Sequence, residues 1–123
     1  MKSKIFVFVF LAVSILSISG CAKIETVDLS KYKTEYVGDN SKVIQIVSNQ
    51  KYPKGYSYDS IEIQSQTKPY GLTVYLKGDS STLKLENELQ DNANTTFELI
   101  GNLGTLDYKL KDNKELLGSY VRK

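Results

Sequence analysis

Hydrophobic and polar residues alternate with two different periods along this chain, one typical of helices and one typical of strands. Val43, Ile46 and Val47 recur at intervals of three and four, which predicts a helix over about residues 41–48. The stretches "SIEIQSQ" and "LTVYLKG" follow, and each places every second apolar side chain on one face. A short turn with one proline and one glycine joins them, so they predict two antiparallel strands.

The second half of the chain returns to a helical period and then to alternation. Apolar residues spaced by three and four predict a second helix over about Glu86–Asn102, which ends before Gly104. The stretch "TLDYKLK" predicts a third strand, and Leu116, Leu117 and Tyr120 predict a final helix behind a capping Asp-Asn pair. The order α-β-β-α-β-α predicts an α+β domain of two layers, with about three antiparallel strands and the helices on one face.

The first twenty residues have a composition of their own. Lys2 and Lys4 form a positive start, an apolar run reaches Ile18, and the small residues Ser19 and Gly20 end the segment. The run is shorter than the roughly 20 apolar residues that a membrane-spanning helix needs. These features predict a signal peptide.

Cys21, the only cysteine, directly follows this segment. An aliphatic residue, two small residues and a cysteine resemble the bacterial lipobox, which implies a diacylglyceryl group on Cys21 and a mature N-terminus there. Two acyl chains suffice for stable membrane anchoring. The alternative is a secretory signal with a chance cysteine, whose bare thiol would be open to oxidation. We therefore predict a signal peptide (1–20), a lipidated cysteine and tether (21–33) and one domain (34–123), on the outer face of the cell membrane.

The composition argues against several classes of function. The chain has 123 residues, with 16 Lys and Arg against 14 Asp and Glu, and the leader holds two of the lysines, so the mature part is neutral. A neutral chain lacks the net basic face of a nucleic-acid binder. Histidine is absent, which removes the commonest general base and the commonest metal ligand. We therefore expect no nucleic acid, no cofactor, no metal and no catalysis.

The turn before the first helix is a candidate binding surface. Tyr36, Gly38, Asp39 and Asn40 lie where free N–H groups and the helix dipole can hold an anion. The same residue types also serve as helix caps, and the capping interpretation is favoured by their preference for that position.

A second turn and a tyrosine-rich loop are further candidates. Pro69, Tyr70 and Gly71 fix a turn whose tyrosine can contact sugar or peptide, although strand alternation favours a place for Tyr70 at the edge of the core. Tyr56 lies in a loop with two more tyrosines around Pro53. Such amphipathic rings suit either a binding surface or the partly wet rim of a small domain.

Three longer stretches resemble successive blocks of one family: "YKTEYVGDNSKVIQIV", "IEIQSQTKPYGLTVYL" and "NTTFELIGNLGTLDYKL". They are similar to the domain of unknown function 4825 family, over about Tyr32 to Lys111. The resemblance implies an extracytoplasmic, often lipid-anchored module of low-GC Gram-positive bacteria, which also occurs attached to membrane regulators similar to antibiotic-sensing proteases. It implies no catalytic residue.

Together these features predict a bacterial membrane-anchored lipoprotein with a non-catalytic binding or sensing domain for an envelope or membrane-protein partner. The predicted tether, the tyrosine-rich loops and the absence of histidine are its basis. Two alternatives stay open. An envelope hydrolase would use an accessible serine beside a desolvated lysine, and a structural surface lipoprotein would have no cleft or apolar patch.

Overall fold

The computed structural model describes residues 28–79 and 85–123, so the predicted signal peptide and Cys21 lie outside the described residues. A short 3-10 helix (Leu29–Tyr32) comes first. Two helices and four strands follow in the order α1 (Asn40–Ser48), β1 (Ser57–Gln64), β2 (Tyr70–Lys77), α2 (Gln90–Leu99), β3 (Leu103–Leu110) and β4 (Leu116–Val121). None of the described helices is long and apolar enough to cross a membrane.

The strands form one mixed sheet in the order β1-β2-β3-β4. β1 and β2 pair antiparallel as predicted, with Ile61 opposite Val74 and Ile63 opposite Leu72. β2 and β3 are parallel, because the crossover through α2 returns the chain to the end of the sheet at which β2 began. The predicted α+β class is confirmed, whereas the prediction of about three antiparallel strands is wrong.

The last element is a strand and not the predicted helix. β4 pairs antiparallel with β3, and the register shifts by one residue between Tyr108 and Lys109 of β3. This bulge inserts Leu117 as an extra residue, so Leu117 and Tyr120 both reach the core although a regular strand would turn them to opposite faces. The bulge thus produces the spacing of a helical face within a strand, and the order of elements is α-β-β-α-β-β.

α1 agrees with the predicted helix to within one residue, while α2 is shorter than predicted at both ends. Residues 86–89 form turns before α2 begins, and the Leu85 N–H just before them donates to the Leu117 carbonyl at 2.9 Å. At the other end Ile100 has an extended backbone and forms a β-bridge with Thr34. Contacts with distant segments therefore set both ends of α2.

One apolar cluster joins both helices to the same face of the sheet. Val43, Ile46 and Val47 of α1 are fully buried in it, as the sequence predicted. The sheet contributes alternate residues of its two central strands: Leu72, Val74, Leu76, Leu106, Tyr108 and Leu110. Each buried aliphatic side chain stabilises the fold by roughly 1.5–3 kcal/mol relative to an exposed one. The helices thus cover one face of the sheet and leave the other open.

Tyr75 lies at the centre of the open face. Its hydroxyl donates to Glu62 Oε1 at 2.7 Å, and this hydrogen bond, together with burial, raises the pKa of Tyr75. The Nζ atoms of Lys114 and Lys111 lie 4.6 and 5.6 Å from the centroid of the ring. These contacts leave only 8% of Tyr75 exposed.

Candidate functional site

A cleft lies at the end of the sheet where β2 and β3 begin. Because these strands are parallel, their first residues meet at one end, and the turn before β2 lies beside the turn before β3. Its volume is about 550 Å³, within the usual range of ligand sites. We call it the terminal cleft, and it is lined by Lys68–Tyr70, Gly101–Gly104 and Arg122.

Gly104 sets the distance between the two walls of the terminal cleft. The sequence predicted that the second helix stops before this glycine, but the structure places Gly104 inside β3. A Cβ atom added to Gly104 would lie 2.8 Å from the Cβ atom of Pro69. A side chain here would therefore push the walls apart, so the close approach of the two turns requires glycine.

The segment before α1 lies against the terminal cleft. The Gly101 N–H donates to the Thr34 carbonyl at 2.8 Å, and the Val37 N–H donates to the side-chain oxygen of Asn102 at 2.7 Å. Gly101 and Asn102 both line the cleft. Tyr36 lies between the two bonded residues of this segment and is 67% exposed. Tyr36 is therefore a large exposed ring on the segment that lies beside the cleft.

Asp39 caps α1. One side-chain oxygen accepts from the Lys42 N–H at 3.4 Å, and the main-chain carbonyl accepts from the Val43 N–H at 3.0 Å. Gly38 and Asn40, on either side of it, are exposed. The capping interpretation accounts for Asp39, and its neighbours add accessible surface to the turn.

Tyr56 lies at the opposite end of the sheet. Its hydroxyl donates to the Asp79 carbonyl at 3.2 Å, and its ring lies against Gly78, just after β2. Tyr70 and Gly71 instead begin β2 at the cleft end, where Tyr70 is half-buried against the core and Gly71 is buried. The structure therefore groups the two sequence-predicted turns and separates the tyrosine-rich loop from them.

Arg122 is a cleft residue that the sequence pattern did not identify. Its Nε atom donates to the Leu103 carbonyl at 2.7 Å, and its Nη2 atom donates to the carbonyls of Phe97 and Ile100 at 2.9 and 2.7 Å. The guanidinium group also lies 5.3 Å from the centroid of the Phe97 ring. Two of these carbonyls belong to the C-terminal turn of α2, where the helix dipole is negative and a cation is stabilising. No local motif could reveal a contact between segments so far apart in the chain.

A polar network with little solvent exposure holds α2 in place. The Asn92 side chain donates to Gln50 Oε1 at 3.0 Å and to the Lys51 carbonyl at 2.9 Å. The Thr96 hydroxyl accepts from Gln50 Nε2 at 3.0 Å and donates to the Asn92 carbonyl at 2.8 Å. Tyr108 of β3 is fully buried, and burial raises the pKa of its hydroxyl. The network thus connects α2 to the residues that follow α1.

The lining of the terminal cleft offers backbone groups, apolar side chains and two cations to a ligand. The part of the chain that the structure describes contains no group of three or more Asp, Glu, His or Cys side chains placed to hold a metal ion. In the same part, the hydroxyls of Ser30, Ser60 and Ser119 donate to aspartates, and no serine hydroxyl is hydrogen-bonded to a lysine. The cleft combines apolar surface with the cations Lys68 and Arg122, which suits a ligand with apolar and acidic groups.

Comparison with known proteins identifies a family. Searches among curated proteins and among solved structures gave no match. The family model described as "Domain of unknown function (DUF4825)" matches residues 29–122, which include both described helices, the four strands and the terminal cleft. This match confirms the resemblance noted in the sequence. The chain therefore belongs to the DUF4825 family, a domain of unknown function.

Proposed function

We propose that this chain is a bacterial lipoprotein whose domain is a non-catalytic binding or sensing module, and that the terminal cleft binds an envelope or membrane-protein partner. The observation that carries the proposal is that the Lys68–Gly71 turn lines the terminal cleft, while the Tyr36–Asn40 turn lies beside the same cleft through the hydrogen bond between Val37 and Asn102. The sequence singled out each turn separately, on its own residues. Their closeness to one cavity of ligand size supports a common binding role.

The lining of the terminal cleft supports a partner of definite chemistry. Pro69 and Tyr70 offer apolar surface, and Lys68 and Arg122 bring two positive charges without an acidic lining residue. Aromatic residues and arginine are enriched in protein interfaces, where they contribute much of the binding energy. A segment with one apolar side chain and one carboxylate fits this combination.

A lipid on Cys21 would keep the domain close to the bilayer. Leu29 and Tyr32 pack against the core, so the connection from the anchor to the domain is residues 21–28. These residues span at most roughly 29 Å when fully extended. A tether of this length favours partners that lie in or near the membrane.

A photo-crosslinking amino acid placed at Tyr36 in the full chain, expressed in its host bacterium, tests the cleft. We expect a specific adduct with a membrane or envelope protein from position 36. The same amino acid at Tyr56, at the other end of the sheet, is the matched control and should give none. Lys68→Glu should reduce the adduct at least fivefold because it reverses a charge of the cleft, while Lys54→Glu in the tyrosine-rich loop should leave it unchanged. An adduct of equal yield from position 56, or one insensitive to Lys68→Glu, would contradict the proposal.

Mass spectrometry of the membrane-extracted protein tests the anchor. The expected N-terminal peptide begins at Cys21 and carries the mass of a diacylglyceryl group. Cys21→Ser should abolish that mass, because serine cannot form the thioether. Wild-type protein with residues 1–20 intact and no acyl mass would reject the lipoprotein assignment.

A further inference from the structure

β4 forms one edge of the sheet, and among the described residues part of this edge has no hydrogen-bonded neighbour. The Arg122 N–H donates to the Gly104 carbonyl at 2.9 Å. In an antiparallel pair, hydrogen-bonded positions alternate, so Ser119 and Val121 turn their backbone groups away from β3. Within residues 28–79 and 85–123, these backbone groups have no protein partner. They form a short open edge on which another strand can pair.

A groove of about 620 Å³ runs along this edge, between β4 and α2. We call it the edge groove, and it is lined by Gln90, Asn94, Phe97 and Glu98 of α2 and by Ser119–Lys123. The four α2 residues are spaced by four, three and one, so they form one face of the helix beside the strand. A groove flanked by a strand edge is the geometry in which extended peptides bind by strand addition.

Hydrogen bonds mark both ends of the open edge. At the start of β4, the Leu117 carbonyl accepts from the Leu85 N–H at 2.9 Å. At the end of β4, the Arg122 side chain joins the strand to the last turn of α2. The open edge between them is Ser119–Val121. At about 3.3 Å per residue, it fits a peptide segment of roughly three to five residues.

The charged residues of the edge groove determine which peptide segments can bind there. Arg122 and Lys123 lie at one end, and Glu98 is the acidic residue of the lining. Arg122 donates to carbonyls through Nε and Nη2, and its Nη1 atom has no hydrogen bond to a described residue. A carboxylate can therefore bind Nη1 and Lys123 without displacing the existing bonds. The half-buried Phe97 ring beneath the guanidinium group provides apolar surface for a neighbouring side chain.

We propose that the edge groove binds an extended peptide segment of a partner protein as a fifth strand beside β4, with a peptide carboxylate at Arg122 and Lys123. The proposal rests on the proposed binding function and names the chemistry of its partner. Arg122 lines both the edge groove and the terminal cleft, so the two sites are adjacent. A second copy of β4 is a poorer occupant, because Leu116–Val121 contains no acidic residue and is followed by two cations.

A displayed library of seven-residue peptides, selected on the detergent-solubilised full chain, provides the probe. The expected peptides alternate apolar side chains and carry an acidic residue. Val121→Pro should weaken the best peptide at least tenfold, because proline removes an N–H that points outward while the bonds to β3 remain. Val121→Thr keeps that N–H and should change affinity less than twofold, whereas Lys123→Glu should weaken binding about tenfold.

Two further measurements test whether the peptide binds at the β4 edge. In the wild-type chain, the selected peptide should shift the amide resonances of Ser119 and Val121, and it should do so without any variant having to fold. Lys68→Glu distinguishes the two sites. If this variant loses the crosslink at the terminal cleft but still binds the selected peptide, the peptide binds in the edge groove and not in the terminal cleft. Strand addition would be overturned if the library yielded no enriched peptide or if the two amide resonances did not shift. It would also be overturned if Val121→Pro bound the peptide as tightly as the wild-type chain. A concentration-dependent dimer that Val121→Pro dissociates would assign the edge to a second copy instead.

Discussion

The two helices cover the same sheet face but are held in place in different ways. α1 begins with a side-chain cap from Asp39, and its buried residues are all apolar. α2 has no side-chain cap at its start, and its buried residues include the polar Asn92 and Thr96. Its last turn is held by Arg122, which follows β4. α1 is thus specified by its own sequence, and α2 by contacts that exist only in the folded domain.

This contrast predicts that the two helices respond to different substitutions. Removing a tertiary contact of α2 leaves polar groups without partners in a half-buried place, which costs more than removing an exposed cap. Amide hydrogen exchange resolves the effect helix by helix, because each helix can open separately from the rest.

Arg122→Met should have the largest effect. It leaves three carbonyls without their charged donor, and we expect the free energy of unfolding to fall by roughly 2–4 kcal/mol. Urea denaturation measures the loss, and hydrogen exchange should be faster in the last turn of α2 than in α1. Lys123→Met removes a neighbouring exposed cation and should change stability little. Equal effects of the two substitutions would show that the hydrogen bonds of Arg122 do not hold α2.

Asn92→Ala should have an intermediate effect. The substitution leaves Gln50 Oε1 and the Lys51 carbonyl without their donor, which should cost about 2 kcal/mol. The control is Asn94→Ala on the exposed face of α2, which should be within about 0.5 kcal/mol of wild type. Thermal unfolding of the three proteins at one pH measures the difference. If both alanine variants were equally stable, the network would not contribute to holding α2.

Asp39→Ala should have the smallest effect of the three. Loss of the cap should cost about 1 kcal/mol, and exchange should become faster in the first turn of α1 alone. Asp39→Asn keeps a side-chain oxygen in the capping position and should retain most of the stability. A loss that spreads to α2 would contradict the view that α1 is locally specified.

The same contrast explains which parts of the fold were predictable. α1, β1, β2 and β3 follow from spacing and turn residues that lie within a few positions of one another. The ends of α2 depend on the Thr34–Ile100 bridge and on Arg122, and a local pattern contains neither. β4 was misassigned because a bulge at Leu117 changed the period of its core residues.

The candidate site was predictable to a similar extent. Tyr36 and the Pro69–Gly71 turn were identified from their residue types, and the structure places this turn in the lining of the terminal cleft and Tyr36 on the segment beside it. Tyr56 was grouped with them because the sequence does not show where in the fold a tyrosine lies. The fold places Tyr56 at the far end of the sheet. Arg122 was missed, since an arginine near a strand end has no distinguishing signal until the strand is placed beside α2.

The open face of the sheet leaves Tyr75 covered by side chains alone. Tyr75 is shielded there partly by the ammonium groups of two lysines in the turn after β3, not by another layer of backbone. Exposed side chains exchange rotamers within picoseconds to nanoseconds, so this shield can lift far faster than any unfolding event. A molecule that binds at that face would contact the aromatic ring by displacing the two lysine side chains, while the fold beneath stayed unchanged.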